Sequence, residues 1–233
     1  SHLKSLEIIF IDDSSTDSTN KLLKTARSEG APIKMVNAPE LPEGWLGKPW
    51  ALQQGYLIAS GEIIVTIDAD VRLTPTAIAQ AIAKMGKRDF ISPYPRQIAI
   101  SFAERLVQPL LQWSWMTTVP LRIAEKSTRT SLAVANGQFF LVTKSALDLA
   151  SGFQKIAAEV LDDMKLARVL IATGSRGGVA DGSTLAKTRM YKNFGDIKAG
   201  YGKSLWSAFP TPLGSGAAIV FIFITGLAPV LIW

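Results

Sequence analysis

The chain contains no cysteine and only one histidine, and these two shortages exclude several kinds of chemistry. Without cysteine there is no disulfide, no zinc–thiolate site and no cysteine nucleophile. The single histidine, His2, lies beside the N-terminus, where chains are commonly frayed, so we do not expect a histidine-based mechanism. The carboxylates are therefore the first candidates for acid–base or metal chemistry in this chain.

The last 30 residues of the sequence, 204–233, carry no charged side chain. Within them, residues 214–233 are almost continuously apolar, and a helix of about 20 residues is long enough to cross the hydrocarbon core of a bilayer. A buried core helix is the alternative. We predict a transmembrane helix over 214–233 behind a domain over 1–205, with the protein at the cell membrane and this domain on the cytoplasmic side.

Lysine and arginine outnumber aspartate and glutamate by 25 to 19, giving a net charge of +6. The basic residues are spread along the chain instead of lining one predicted helix, which argues against a nucleic-acid partner. A positive balance beside an apolar stretch favours an anionic membrane surface.

Apolar runs and turn signals alternate over the first 95 residues, which is typical of an α/β fold. We predict a mostly parallel sheet with flanking helices. Residues 98–125 are helical in pattern, rich in aromatic side chains and interrupted by Pro109 and Pro120. They fit either core packing or interfacial helices lying on a membrane, and we favour the interface.

Acidic pairs follow two of the predicted strands directly. One apolar run ends in Asp12-Asp13 and another in Asp68-Ala69-Asp70. Ligands of open α/β sheets bind outside the carboxyl ends of the strands, and two acids there can hold a hard cation that in turn holds a diphosphate. A third pair, Asp162-Asp163, opens a predicted helix. Taken singly, each pair is also explained as a turn or a helix cap.

Together these motifs resemble those of family 2 glycosyltransferases with the GT-A fold. Residues 11–17, IDDSSTD, resemble the nucleotide-binding signature, which assigns Asp12 and Asp13 to the nucleotide. Asp68-Ala69-Asp70 resembles the metal-binding Asp-x-Asp, so that Asp70 would hold Mg²⁺ or Mn²⁺ and Asp68 the metal or the ribose. Asp162-Asp163 resembles the catalytic acidic motif, whose second acid is the base.

The resemblance implies a sugar moved with inversion from a nucleoside-diphosphate donor, with UDP expected, to a lipid-like or isoprenoid-like acceptor. Residues 44–51, GWLGKPWA, are similar to the membrane-bound subset that includes hopanoid-associated and carotenoid glycosyltransferases. Lys48 is a candidate for binding the diphosphate, and the alternative is a lysine that is simply solvated. In the family, the region of Gly137 lies beneath the sugar and acceptor, so Gly137 is a candidate for their close approach to the backbone, or else an ordinary glycine at the start of a strand. Arg189 is a further candidate for the diphosphate, although the Gln-x-x-Arg-Trp motif of processive members is absent.

Several alternatives stay open. An Asp-x-Asp after a strand also occurs in phosphatases of the haloacid dehalogenase type, although Arg72 departs from their pattern. A nucleotidyltransferase and a non-catalytic membrane scaffold are the other hypotheses. Family members usually carry one more strand and helix before the equivalent of Leu6. We expect this chain to lack that unit and therefore to bind the donor weakly.

Overall fold

The computed structural model describes residues 6–208, 211–214, 216 and 220. Within them strands and helices alternate, as the sequence predicts for an α/β protein. The strands are β1 (Ile8–Asp12), β2 (Ile33–Asn37), β3 (Ile63–Ile67), β4 (Val71–Leu73), β5 (Phe90–Gln97), β6 (Phe139–Thr143) and β7 (Gly177–Thr188). The α-helices are α1 (Thr19–Ser28), α2 (Gly47–Ile58), α3 (Ala77–Met85), α4 (Phe102–Thr118), α5 (Leu121–Ala124), α6 (Lys144–Ala150), α7 (Asp162–Ala172) and α8 (Phe194–Ala208).

The strands form two sheets, and the larger one is mixed. β1 pairs with β2 in parallel, whereas the other strands form a five-stranded sheet in the order β3-β6-β5-β7-β4. In that sheet only β5 and β7 run parallel. The prediction of a mostly parallel sheet is therefore wrong for the five-stranded sheet. An apolar run indicates that a strand is buried, but it carries no information on the direction of the neighbouring strand.

The five-stranded sheet is covered on both faces. Because side chains alternate along a strand, Phe140 and Val142 of β6 point to one face and Phe139 and Leu141 to the other. The first face packs on α6 and α7, and the second packs on α3. Burial on both faces makes this sheet a firm platform for the side chains at its strand ends.

Helix α4 runs through Pro109 without a break, although the sequence suggested an interruption there. A proline inside a helix removes one backbone hydrogen bond, a loss that the rest of this 17-residue helix tolerates. Its start is specified by a capping box, in which Ser101 accepts from the Glu104 amide while the Glu104 carboxylate accepts from the Ser101 amide.

The predicted membrane span over 214–233 lies outside the described residues except for 214, 216 and 220. Among the helices that the structure describes, none combines the length and the hydropathy needed to cross a bilayer. The transmembrane helix therefore stays a prediction.

Candidate active site

Asp68 and Asp70 lie on a tight turn at the carboxyl end of β3. The Asp68 carbonyl accepts a hydrogen bond from the Val71 amide at 3.0 Å, which closes the turn. The Asp68 amide donates to the Gln138 carbonyl at 3.1 Å, fixing the turn to the start of β6. Since β4 pairs with β7, Asp70 lies beside the end of β7, where the Thr188 hydroxyl donates to its Oδ2 atom at 2.7 Å.

Lys48 joins the second and third acidic pairs. Its Nζ atom lies 3.0 Å from Oδ1 of Asp68 and 3.4 Å from Oδ2 of Asp162. Lys48 is the second residue of α2, and the preceding Leu46 amide donates to the Ala157 carbonyl at 2.7 Å. This bond ties the start of α2 to the loop that leads into α7. Lys48 thus contacts two of the candidate site carboxylates, while 44% of its side chain stays exposed.

Asp163 is held by two backbone amides, one on each carboxylate oxygen. The Gly137 amide donates to Oδ2 at 2.8 Å, and the Met164 amide donates to Oδ1 at 2.7 Å. A Cβ atom on Gly137 would lie 3.2 Å both from Cβ of Asp163 and from Nζ of Lys48. The absence of a side chain on Gly137 therefore leaves room for these two side chains to meet, and the predicted approach of a substrate to its backbone stays a prediction.

The two residues of the first acidic pair lie in different surroundings. Asp12 is buried at the end of β1, where it accepts from the Ser15 amide at 3.0 Å and from Nδ2 of Asn20 at 3.1 Å. These hydrogen bonds hold the pKa of Asp12 below its usual value. Asp13 is exposed, and a Cβ atom on Gly47 would lie 2.6 Å from its Oδ2. Asp13 therefore lies over the N-terminus of α2, next to Lys48.

Arg189 does not contact the acidic cluster. Its Nε and Nη2 atoms donate to Oε1 of Glu104 at 3.1 and 3.0 Å, so the guanidinium is directed toward α4. It nevertheless follows Thr188, the residue that binds Asp70. Sequence reasoning missed both Glu104 and Thr188 as neighbours of the site. The Ser101-x-x-Glu104 spacing signalled only the start of a helix, and no local signal marked Thr188.

Burial and charge shift the pKa values of this cluster in identifiable directions. Burial raises the pKa of Asp68, although Lys48 opposes the shift. Burial and the neighbouring Asp162 charge raise the pKa of Asp163 against the two amides and Lys48. For Lys48, burial disfavours the ammonium, but the carboxylates of Asp162 and Asp68 outweigh it and raise its pKa. Lys48 is thus firmly cationic, and Asp163 is a stronger base than an ordinary aspartate.

The donor set at the β3–β4 turn fits Mg²⁺ or Mn²⁺. Asp68 and Asp70 supply hard carboxylate oxygens, and the Asp70 charge is one of the causes that raise the pKa of Asp68, after burial. In the part of the chain that the structure describes, no three acidic or histidine side chains gather as a metal cage. Magnesium commonly binds through one or two carboxylates together with substrate phosphates, so this pair suits a cation that arrives with a diphosphate.

A model of the family described as Glycosyl transferase family 2 matches residues 2–149. The chain belongs to this family. The resemblance predicted from the acidic motifs is confirmed at that level. The matched region contains Asp12, Asp13, Lys48 and the Asp68–Asp70 turn. Asp162 and Asp163 lie beyond its end.

Curated relatives place the family 2 chain among several transferases. It is 27% identical over 167 residues to a 4,4'-diaponeurosporenoate glycosyltransferase of Staphylococcus haemolyticus, covering 70% of this chain and 43% of the relative. It is 27% identical over 164 residues to a dolichol-phosphate mannosyltransferase of Mycosarcoma maydis, covering 64% and 53%. The chain thus spans about half the length of these relatives.

Solved structures support the GT-A-like α/β fold of the family 2 chain. Over 82% of the chain and 51% of its neighbour, it superposes on S. aureus TarS in complex with UDP-GlcNAc with a TM-score of 0.52 and 16% identity. Over 87% and 67%, it superposes on a Mycobacterium tuberculosis glucosyl-3-phosphoglycerate synthase containing Mn²⁺ and UDP-glucose with a TM-score of 0.50 and 19% identity. At such identities the likeness concerns the fold.

Proposed function

We propose that the protein is a metal-dependent inverting glycosyltransferase that moves a sugar from a nucleoside-diphosphate donor, UDP in the first instance, to a lipid-like acceptor at the membrane. The observation that carries this proposal is the meeting of the acidic pairs around Lys48. Its ammonium contacts Asp68 on the predicted donor side and Asp162 on the predicted catalytic side, with Asp163 beside it.

The donor side is formed by the N-terminus of α2 and the β3–β4 turn. The α2 N-cap residue, Leu46, provides no side-chain cap, and Pro49 has no N–H, so the Gly47 and Lys48 amides are the ones that can bind an anion at this helix end. Lys48 contributes a point charge for the diphosphate, and Asp13 lies over the same helix end. Asp68 and Asp70 would hold Mg²⁺ or Mn²⁺, which supplies positive charge against the leaving diphosphate when bound.

Asp163 is the proposed general base. The acceptor hydroxyl loses its proton as its oxygen attacks the anomeric carbon, and a carboxylate on the face opposite the leaving diphosphate can receive that proton. The two amides fix the Asp163 carboxylate while leaving a lone pair on each oxygen free. Asp162 keeps the Lys48 ammonium beside this base, and Gly137 provides the space for both.

The lipid-like acceptor is supported by the relatives and by composition. Two relatives are named for acting on diaponeurosporenoate and on dolichol phosphate, and another, from Nostoc, is called a beta-monoglucosyldiacylglycerol synthase. The uncharged residues 204–233 favour attachment to a bilayer. We therefore place the transferase domain at the cytoplasmic face of the cell membrane.

The test is a donor screen on the protein in membranes, with lipid extract as acceptor and released nucleoside diphosphate as the readout. We expect release that depends on both lipid and Mg²⁺ or Mn²⁺, with loss on chelation and recovery on adding metal back. Release of pyrophosphate would identify a nucleotidyltransferase instead, and release of inorganic phosphate a phosphatase. No turnover with any donor would favour the non-catalytic scaffold.

A further inference from the structure

Helix α4 buries two polar side chains: Glu104 has no exposed surface, and Gln108 is buried nearly as completely. On the same side of the helix, three apolar side chains are only partly buried: Val107, Leu111 and Trp115. Trp115 packs against Tyr94 of β5. The Gln108 Nε2 atom has no hydrogen-bond partner among the described residues. A surface helix of a water-soluble domain normally buries apolar side chains and exposes polar ones, whereas the most buried side chains of α4 are polar and several of its apolar side chains are exposed.

The outer face of α4 carries one continuous apolar stripe. Successive members are three or four residues apart, as they must be to share a helix face. Phe102 at the start of the helix is 82% exposed, and Met116 near its end is 68% exposed. The stripe consists of Phe102, Leu106, Leu110, Trp113 and Met116. An exposed patch of this extent marks an interaction surface.

We propose that this stripe docks onto the surface of a bilayer containing anionic lipid, with α4 lying parallel to the membrane. The charges around the helix match such a surface. Between residues 96 and 129 there are five basic side chains and two acidic ones, and both acids are already paired with arginine. The basic residues are Arg96, Arg105, Arg122, Lys126 and Arg129. Exposed cations beside an apolar stripe attract anionic headgroups.

Chain continuity also favours lipid over a protein partner. Helix α8 packs against α4, and it leads into residues 204–233, which carry no charge. The apolar stripe and the start of this uncharged stretch therefore belong to neighbouring elements. Trp113, whose ring is half exposed, is a side chain that favours the headgroup region.

The same helix connects the proposed docking face to the site. Glu104, on the inner face, holds Arg189, and the adjacent Thr188 holds Asp70. The docking face is thus on the outer side of α4, and the contacts that lead to the Asp68–Asp70 turn are on its inner side. The docking itself does not depend on the proposed function. Its purpose does, because docking would bring a hydroxyl of a membrane lipid to the site.

The absence of cysteine allows a direct test with the full chain. We would introduce single cysteines by Phe102→Cys and Met116→Cys, attach a nitroxide spin label, and reconstitute the protein in vesicles of equal parts phosphatidylcholine and phosphatidylglycerol. The matched controls are Leu22→Cys on α1 and Leu149→Cys on α6, both at positions 67% exposed. For each label we measure the rate of collision with oxygen, which partitions into the bilayer, and the rate of collision with a nickel chelate, which stays in water. The ratio of the two rates reports whether the label lies in the bilayer.

We expect the oxygen-to-nickel ratio at Phe102 and Met116 to be several times higher than at the two controls, and to fall when phosphatidylglycerol is left out. Equal ratios at Met116 and Leu149 would overturn the proposal. Labels shielded from both reagents in vesicles and in detergent alike would show that protein covers α4, which also overturns it. All four positions are exposed, and unchanged thermal unfolding would verify the fold.

This readout does not involve turnover. A protein that embeds α4 but releases no nucleoside diphosphate would overturn the proposed function alone. A protein that releases nucleoside diphosphate while its α4 labels stay in water would overturn the docking proposal alone.

Discussion

The two sheets differ in how much apolar surface they bury. In the five-stranded sheet, residues 139–142 of β6 are all buried, and helices cover both faces. In the pair formed by β1 and β2, the only buried residue is Asp12, and α1, which packs on this pair, has no buried residue. A two-stranded sheet is marginally stable by itself, whereas a sheet buried on both faces is not.

This difference separates the proposed base from the first acidic pair. Asp163 lies on α7, which packs on the five-stranded sheet, whereas Asp68 and Asp70 follow β3 at the edge of that sheet. Asp12 and Asp13 end a strand of the weakly buried pair. We therefore expect the Asp163 carboxylate to be rigidly placed and the first acidic pair to be less firmly held.

The largest effect should come from Asp163→Asn. An amide cannot accept the acceptor's proton as a base, so turnover should fall by about 10²–10⁴-fold. Donor affinity, measured by calorimetry with the nucleoside diphosphate, should stay unchanged. Glu159→Gln is the control, because Glu159 precedes the same helix and forms only a surface pair with Lys165. Retained turnover would refute the base, and lost donor binding would break the separation of the two sides.

The burial contrast itself is tested by two identical substitutions. Ile91→Ala in β5 removes a side chain with no exposed surface and should lower the free energy of unfolding by about 2–5 kcal/mol. Ile9→Ala in β1 removes a partly buried side chain and should cost about 1 kcal/mol. Urea denaturation measures both values. Equal losses would mean that the two sheets are equally well packed.

Gly137→Ala should disturb the meeting of Lys48 with Asp163. The new Cβ atom lies 3.2 Å from each of these side chains, so one of them must shift by a few tenths of an ångström. We expect about a tenfold loss of turnover with donor affinity kept. Gly202→Ala in α8 serves as the control, because nothing lies within 4 Å of its Cβ position. Full activity in Gly137→Ala would show that the close approach is dispensable.

The smallest effect should be a shift in pH dependence from Lys48→Met. The Lys48 ammonium lowers the pKa of Asp163 and of Asp68, so removing it raises both. A base works only when deprotonated, and activity is lost as the pH falls through its pKa. The acidic limb of kcat/KM should therefore move to higher pH, by about one unit.

Lys165→Met, which removes a surface lysine, should leave the acidic limb of the pH profile in place. A limb that moves to lower pH in Lys48→Met would contradict the assignment of Lys48 and Asp163 to one electrostatic cluster.

Local features were predictable from the sequence because they depend on neighbouring residues. The apolar runs before Asp12 and Asp68 form strands, and Asp162-Asp163 opens a helix, as predicted. The family followed from the combination of the acidic motifs. Strand direction was predicted wrongly, because an apolar run reports burial and not the orientation of its neighbour.

Other parts of the site required distant residues to meet. Thr188 binds Asp70 across 118 residues, and Glu104 binds Arg189 across 85, and neither pairing follows a local rule. The sequence predicts that Asp12 and Asp13 both bind the nucleotide, and this stays a prediction. The structure adds that Asp12 accepts hydrogen bonds from Ser15 and Asn20, while Asp13 is directed toward the start of α2.

The sequence alone determined which chemistry is available: carboxylates and lysine in place of cysteine and histidine, at strand ends and at a helix start. Short-range sterics and periodicity suffice for that. Only the tertiary structure decided that Lys48 lies between Asp68 and Asp162, that Gly137 makes room for Asp163, and that α4 turns its apolar face outward. These outcomes depend on which helices and strands pack together, and packing is set by contacts among residues far apart in the chain.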